Sequence, residues 1–314
     1  MGWLVTGGAG YVGAHVVHAL AAAGEDVVVL DDLSTGDAGR LAALPRVPLE
    51  AGSVRDRGMV RRVLRENGVT GVVHLAGTDA ADDPLRTWAA NVEGLVVLLE
   101  QCRAKGVARF VHGSDVAVYG ERADGGDDCR PLSPHGRSLL AAEQVVRDCA
   151  AWGLAGTSLR CATVAGAAAP ALGDRGPGGL LPEVFAALDA GRAPLLHGDD
   201  HPTPDGSPVR DVVHAADVAA AFLAAARALA AGRPGGTYDV GRGEGVSVRE
   251  VLRAVAGVTG GDTTPQVVAR RAGSPSRVVA AVDRTARDLG WRAARGLPET
   301  VGDAWASWRA LQPL

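Results

Sequence analysis

Thr6-Gly7-Gly8-Ala9-Gly10-Tyr11-Val12-Gly13 stands between the short apolar run Leu4-Val5 and a stretch, residues 14–23, that reads as a helix. Glycines at these spacings let a backbone turn tightly out of a strand. They also let it approach a pyrophosphate, whose charge then lies at the helix N-terminus. A glycine loop alone is weak evidence. Here Asp31 follows Gly13 by 18 residues and closes the next apolar run, residues 27–30. A carboxylate in that place accepts hydrogen bonds from adenosine ribose hydroxyls and repels a 2′-phosphate, and the next arginine is Arg40. The unit is therefore read as a strand, loop, helix and strand that hold a dinucleotide, NAD in preference to NADP.

Working outward, residues 72–75 and 110–112 are further short apolar runs, as expected of strands buried on both faces of a parallel sheet. Residues 57–66, 87–105 and 134–151 read as helices between them, and residues 157–162 as a sixth strand. This alternation specifies an α/β fold with a doubly wound parallel sheet of Rossmann type. Beyond residue 164 the pattern changes. Gly and Pro cluster at 173–182, two charged loops span 198–210 and 270–277, and shorter helices are expected at 183–190, 216–230 and 248–255. The division expected is a dinucleotide-binding domain over residues 1–164 and a smaller C-terminal substrate lobe over 165–314, with elements of the lobe returning to the main domain. Residues 124–131, polar and Gly-rich, read as a surface loop.

Composition narrows the function classes. The net charge is −4, with 47% hydrophobic and 22% charged residues, so no basic excess argues for nucleic acid. No apolar run reaches the ~20 residues of a membrane span. The N-terminus lacks the charged start and cleavage site of a signal peptide. Cys102, Cys129, Cys149 and Cys161 have neither disulfide-framework nor metal-ligand spacing, so no metal is expected and a reducing cytoplasm fits. Lys105 is the only lysine, and Tyr11, Tyr119 and Tyr238 are the only tyrosines.

The glycine loop, Asp31-Asp32-Leu33-Ser34, His74-Leu75-Ala76-Gly77, Asn91-Val92-Glu93-Gly94 and Val118-Tyr119-Gly120 together resemble the extended short-chain dehydrogenase/reductases, the NAD-dependent epimerase/dehydratase family. The stretch from Gly198 through Arg210-Asp211-Val212-Val213-His214, with Leu289-Gly290-Trp291 later, is similar to the UDP-glucose 4-epimerase branch. The resemblance implies an isomerase-like use of tightly held NAD on a nucleotide sugar. It implies that Gly7, Gly10, Tyr11, Val12 and Gly13 meet the pyrophosphate, and that Asp31, Asp32, Leu33, Ser34 and Gly36 meet the adenosine. Ser53 and Val54 would flank the adenine, and Leu75, Ala76, Gly77 and Asn91 would lie along the cofactor. Arg210 and Arg271 would grip a nucleotide diphosphate, which suits the planar guanidinium fork. Thr163 and Gly179 would stand at substrate-contacting positions. It also implies a homodimer through residues 87–105 and 134–151. The apolar positions expected at that contact are Val92, Leu95, Val96 and Leu99, with Leu140, Ala141, Val145 and Ala150.

The chain departs from the family pattern at its chemical centre. The family's tyrosine and lysine, one turn apart on a helix, correspond here to His135 and Leu139, and its catalytic serine to Asp115. No tyrosine of this chain has a lysine four residues on. Asp79 replaces a lysine after the fourth strand, and Ser53, Thr163, Gly179 and Ser274 replace further family residues. Ordinary UDP-galactose epimerase activity is therefore not expected. Two readings stand side by side. In one, His135 and Asp115 form an acid–base dyad, the carboxylate orienting an imidazole that titrates near neutrality. In the other, the protein binds NAD(H) without catalysis, as a sensor or partner subunit. His135 is then a residue that starts a helix, and Asp115 a loop acid making a turn hydrogen bond.

Overall fold

The computed structural model describes residues 2–80, 82–121, 128–176, 178–271 and 273–310. In chain order the strands are β1 Gly2–Thr6, β2 Asp26–Asp31, β3 Leu49–Ala51, β4 Val69–His74, β5 Arg109–Asp115, β6 Ala155–Cys161, β7 Thr163–Ala165, β8 Leu195–His197, β9 Val209–His214, β10 Thr237–Val240, β11 Gly245–Ser247, β12 Gln266–Val268 and β13 Arg277–Val278. The helices are α1 Tyr11–Ala22, α2 Arg57–Glu66, α3 Pro84–Trp88, α4 Gly94–Lys105, α5 Pro134–Asp148, α6 Leu180–Asp189, α7 Ala215–Ala230, α8 Val248–Thr259, α9 Asp283–Leu289 and α10 Leu297–Ala310.

Seven strands form one parallel sheet in the order β10-β6-β5-β4-β1-β2-β3. Alternation along each strand explains why both faces are covered. Trp3, Val5, Val29, Val73 and Val111 pack beneath Val16, Val17 and Leu20 of α1 and Phe222 and Ala225 of α7. Leu4, Val28, Leu30, Val72 and Phe110 point the other way, against Val60 and Leu64 of α2, Leu95 and Leu98 of α4, and Ala142 and Val146 of α5. Strands apolar at every position are what a sheet sandwiched by helices requires. The chain reverses between β1 and β3 at one side and β4 to β6 at the other. This opens a crevice at the C-terminal ends of β1 and β4.

Over that crevice sits a second cluster built on β9, flanked by β7, β11 and β13, with α6, α8 and α10 around Leu181, Phe185, Val251, Leu252, Val255 and Val301. β10 leaves this cluster and extends the main sheet beside β6. β8 and β12 form a separate two-stranded ribbon.

Several expectations are corrected. The helix expected over residues 87–105 starts at Pro84, capped by the Asp83 side chain, and passes through a π turn, Ala89–Glu93, before α4. Leu95 and Leu99, expected on an intersubunit stripe, are 0% and 4% exposed and belong to the core of their own chain. The exposed apolar side chains of this region are Leu85, Trp88 and Val96. The helix expected over residues 134–151 ends at Asp148 and tightens into a 3-10 turn, Cys149–Trp152. The strand β3 and helices α9 and α10 were not anticipated. Of the expected surface loop, residues 124–127 lie outside the described residues.

Candidate functional site

The first turn of α1 and the loop before it are shaped by contacts that only glycine permits. Gly7 has φ +70°, and a side chain there would come within 2.7 Å of the Ala76 amide nitrogen. A Cβ on Gly13 would overlap the Gly7 carbonyl oxygen. The loop therefore lies directly on the β4 crossover with its backbone bare, which is the form of a phosphate cradle at a helix N-terminus.

Two adjoining cavities, about 210 Å3 and about 360 Å3, run along the strand ends. They share Gly7, Gly10, Thr35 and Leu75–Thr78, so they form one cleft. Asp31, Asp32, Ser34, Ser53 and Val54 line the first, and Tyr11, Val12, Gly13 and Asn91 the second. Asp31 is 7% exposed, and its two oxygens accept from the Ala9 and Leu33 amides, each at 2.9 Å. An ionised carboxylate offers about four lone-pair sites, so acceptor capacity remains toward the cleft. Gly36 packs against the same carboxylate, and Leu33 takes φ +59° in the bend. Arg40 is not free to meet a ligand phosphate, because its guanidinium is buried and donates to the Ala9 and Gly173 carbonyls. The cradle, the half-used Asp31 and the length of the cleft fit a dinucleotide.

Asn91 explains the π turn. Its amide oxygen accepts from the Thr78 backbone at 2.8 Å, while its amide nitrogen donates to the Thr78 carbonyl and to Ser138 Oγ. One side chain thus ties the loop after β4 to α5, and π turns characteristically serve such sites.

His135, Asp115, Asp79, Ser114 and Leu139 all line the larger cavity. His135 stands in the first turn of α5, where the Ser133 hydroxyl caps the helix. Asp115 ends β5, and its carboxylate accepts the Ala117 amide at 2.6 Å, the turn bond of the plainer reading. Burial raises its pKa; His135 nearby lowers it, and Asp79 raises it further. His135 Nδ1 is buried and, among the described residues, has no hydrogen-bond partner. The imidazole and the carboxylate thus share a cavity, and among the described residues no hydrogen bond joins them.

The residues expected to grip a substrate diphosphate each have partners within the chain. Arg210 donates to Ser274 Oγ at 2.8 Å and to the Val209 carbonyl, whereas Arg271 forks onto Glu183 at the surface. Asp211 does not pair with Arg210; it accepts amides of Arg242 and Gly243. Thr163 lies on β7 beside Tyr11, and Gly179 precedes α6 against the Asp174 carboxylate.

Sequence reasoning missed a buried relay under the site. Ser114 Oγ donates to Glu143, Arg160 forks onto Glu143 at 2.6 and 2.9 Å, Arg160 donates to the Tyr119 hydroxyl, and that hydroxyl donates to Asp239. It locks α5 to β5, β6 and β10. Its signal was Glu143, a charge inside the inward stripe of Leu139, Ala142 and Val146.

The NAD dependent epimerase/dehydratase family model matches residues 3–241. A UDP-glucose 4-epimerase of Streptomyces lividans is 38% identical over 327 aligned residues, covering 99% of this chain and 97% of the relative. One of Azospirillum brasilense is 39% identical, covering 92% of this chain and 86% of the relative. Among solved structures, a UDP-glucose 4-epimerase of Stenotrophomonas maltophila, with bound NAD and formylated UDP-arabinopyranose, superposes with a TM-score of 0.92. It is 33% identical and covers 99% of this chain and 98% of that one.

Proposed function

Because this chain belongs to the NAD dependent epimerase/dehydratase family, we propose that it holds NAD along the cleft and works on a nucleotide sugar with His135 as its acid–base group. Gly7, Gly10, Gly13, Asp31 and Asn91 would hold NAD, which would supply the hydride acceptor when bound. The observation that carries the reading is the shared cavity, in which His135 and Asp115 lie on the same hollow as the glycine loop. His135 would take the proton of a sugar hydroxyl and later return it, as a general base and then a general acid. Asp115 stabilises the imidazolium across the cavity. Asn91, through Thr78 and Ser138, holds the loop and α5 at a fixed separation. A second reading, binding without turnover, is favoured by one residue. Leu139 is apolar and buried where a ribose-holding cation would serve, so the cofactor's reacting end has fewer fixed contacts.

The test is to load the protein with NAD, add UDP-glucose, UDP-galactose or other sugar nucleotides in turn, and follow the reduced-nicotinamide absorbance. Catalysis predicts a rise with at least one of them. His135→Ala should lose that rise by about 10²–10⁴-fold in rate, with NAD binding kept. No rise across a broad panel would leave the binding reading.

A further inference from the structure

The larger cavity carries more acidic than basic side chains. Its acidic side chains are Asp79 and Asp115, and among the described residues neither a lysine nor an arginine lines it. Three histidines share its wall. Burial holds His74 and His112 at about 3 and about 4, so both are neutral. They are 1% and 2% exposed, and His74 Nε2 and both His112 ring nitrogens have no hydrogen-bond partner. Those two neutral rings cannot cancel the carboxylates, and His135, when protonated, is the one side chain among the described residues of the wall that offsets part of their charge. Tyr11 and Cys161 also face the cavity, and burial keeps both protonated. A hollow with low-dielectric walls and an excess of one charge focuses its field on whatever enters.

The two redox forms of a nicotinamide differ by one positive charge, carried by the oxidised ring. We infer that the Asp79 and Asp115 carboxylates make this cleft selective for the oxidised dinucleotide over the reduced one. The inference rests on the cofactor reading and deepens it, since it assigns the redox state the protein holds. A unit charge acting across roughly 10 Å through an effective dielectric constant of ~20 changes an equilibrium about tenfold. Tenfold tighter binding of NAD+ than of NADH makes the bound two-electron couple harder to reduce by about 30 mV. Such a site returns a hydride readily and keeps one poorly. In a protein that only binds, it reads the oxidised pool.

The test titrates nucleotide-free protein separately with NAD+ and NADH, by calorimetry and by NADH fluorescence. The proteins compared are the wild type, Asp79→Asn, Asp115→Asn and the double variant. Asparagine keeps an acceptor oxygen for the Ala117 amide, so the turn at Asp115 retains its bond. The wild type should prefer NAD+ by about tenfold or more. Each substitution should cut that preference several-fold, and the double variant should bring it near unity. Equal affinity in the wild type, or tighter binding of NADH, overturns the inference, as does an unchanged ratio in both single variants. Should a variant fail to fold, the wild-type ratio still decides. Binding of neither nucleotide would instead overturn the cofactor reading, which separates the two failures.

Discussion

Asp31 is a carboxylate whose proposed ligand role is combined with a structural one. Its oxygens already hold the Ala9 amide of the glycine loop and the Leu33 amide of the following bend. In the proposed reading the loop geometry and the ribose site share this residue, so the substitutions Asp31→Asn and Asp31→Ala ask different questions. Asparagine keeps one acceptor oxygen and removes the charge. Alanine also strands two backbone amides in a buried setting, which costs about 1–3 kcal/mol for each donor left unpaired. By calorimetric titration the wild type should bind NAD at least about tenfold tighter than NADP, since one charge-assisted bond is worth ~1.5–3 kcal/mol. Asp31→Asn should weaken NAD by a similar factor and narrow the gap to NADP. Equal affinities of the wild type for the two nucleotides would remove Asp31 from the ribose site. The place of Asp31 at the end of β2 was legible in the sequence because strand, loop and acid are local. Arg40, whose guanidinium spans from Ala9 to Gly173, was not, because its partners are set by the tertiary fold.

Between β4 and β5, the paired strand positions His74 and His112 place two imidazoles side by side, with ring centroids 5.8 Å apart. His74 Nδ1 is hydrogen-bonded to Thr6 Oγ1 at 2.7 Å, on the next strand. Burial depresses the pair to about 3 and about 4, below the ordinary value of 6.5. The folded chain therefore binds fewer protons than the unfolded one. The stability gained by keeping these rings neutral is present above about pH 6.5 and is lost as pH falls through about 4 toward about 3. Thermal unfolding should show Tm falling along that acid limb. His112→Phe keeps an aromatic ring of similar volume and removes one titrating group, so it should flatten the limb while changing Tm little at neutral pH. Parallel profiles for variant and wild type would show that His112 is protonated without cost. That these runs are strands of a parallel sheet was readable from their apolar residues. The consequence was not, because a histidine within a strand pattern gives no sign of its cross-strand neighbour. The π turn escaped for a related reason: it is fixed by Asn91 reaching across to Thr78, not by any local propensity.

At the scale of the whole molecule, the α/β architecture followed from strand and helix alternation, while the outer surface did not. Gly94-Leu95-Val96-Val97-Leu98-Leu99 is apolar around the full circumference of a helix, so periodicity cannot say which stripe faces its own core. The fold turns Leu95, Leu98 and Leu99 inward and leaves Val96 at 37%, Trp88 at 39% and Leu85 at 80% exposed. Leu85, Trp88, Val92 and Val96 recur at three- and four-residue steps along α3, the π turn and α4, so they trace one apolar strip on the outside of the chain. Such a strip is costly to leave in water and suits a self-complementary contact between two copies. We therefore expect a homodimer seated on this strip in place of the stripe of Leu95 and Leu99. Light scattering should give about twice the 31.9 kDa chain mass. The double substitution Trp88→Glu and Val96→Glu puts like charges against each other across a two-fold axis and should yield a monomer with unchanged circular dichroism. A wild type that is monomeric at micromolar concentration would refute the contact. A dimer untouched by the double substitution would move it elsewhere on the molecule.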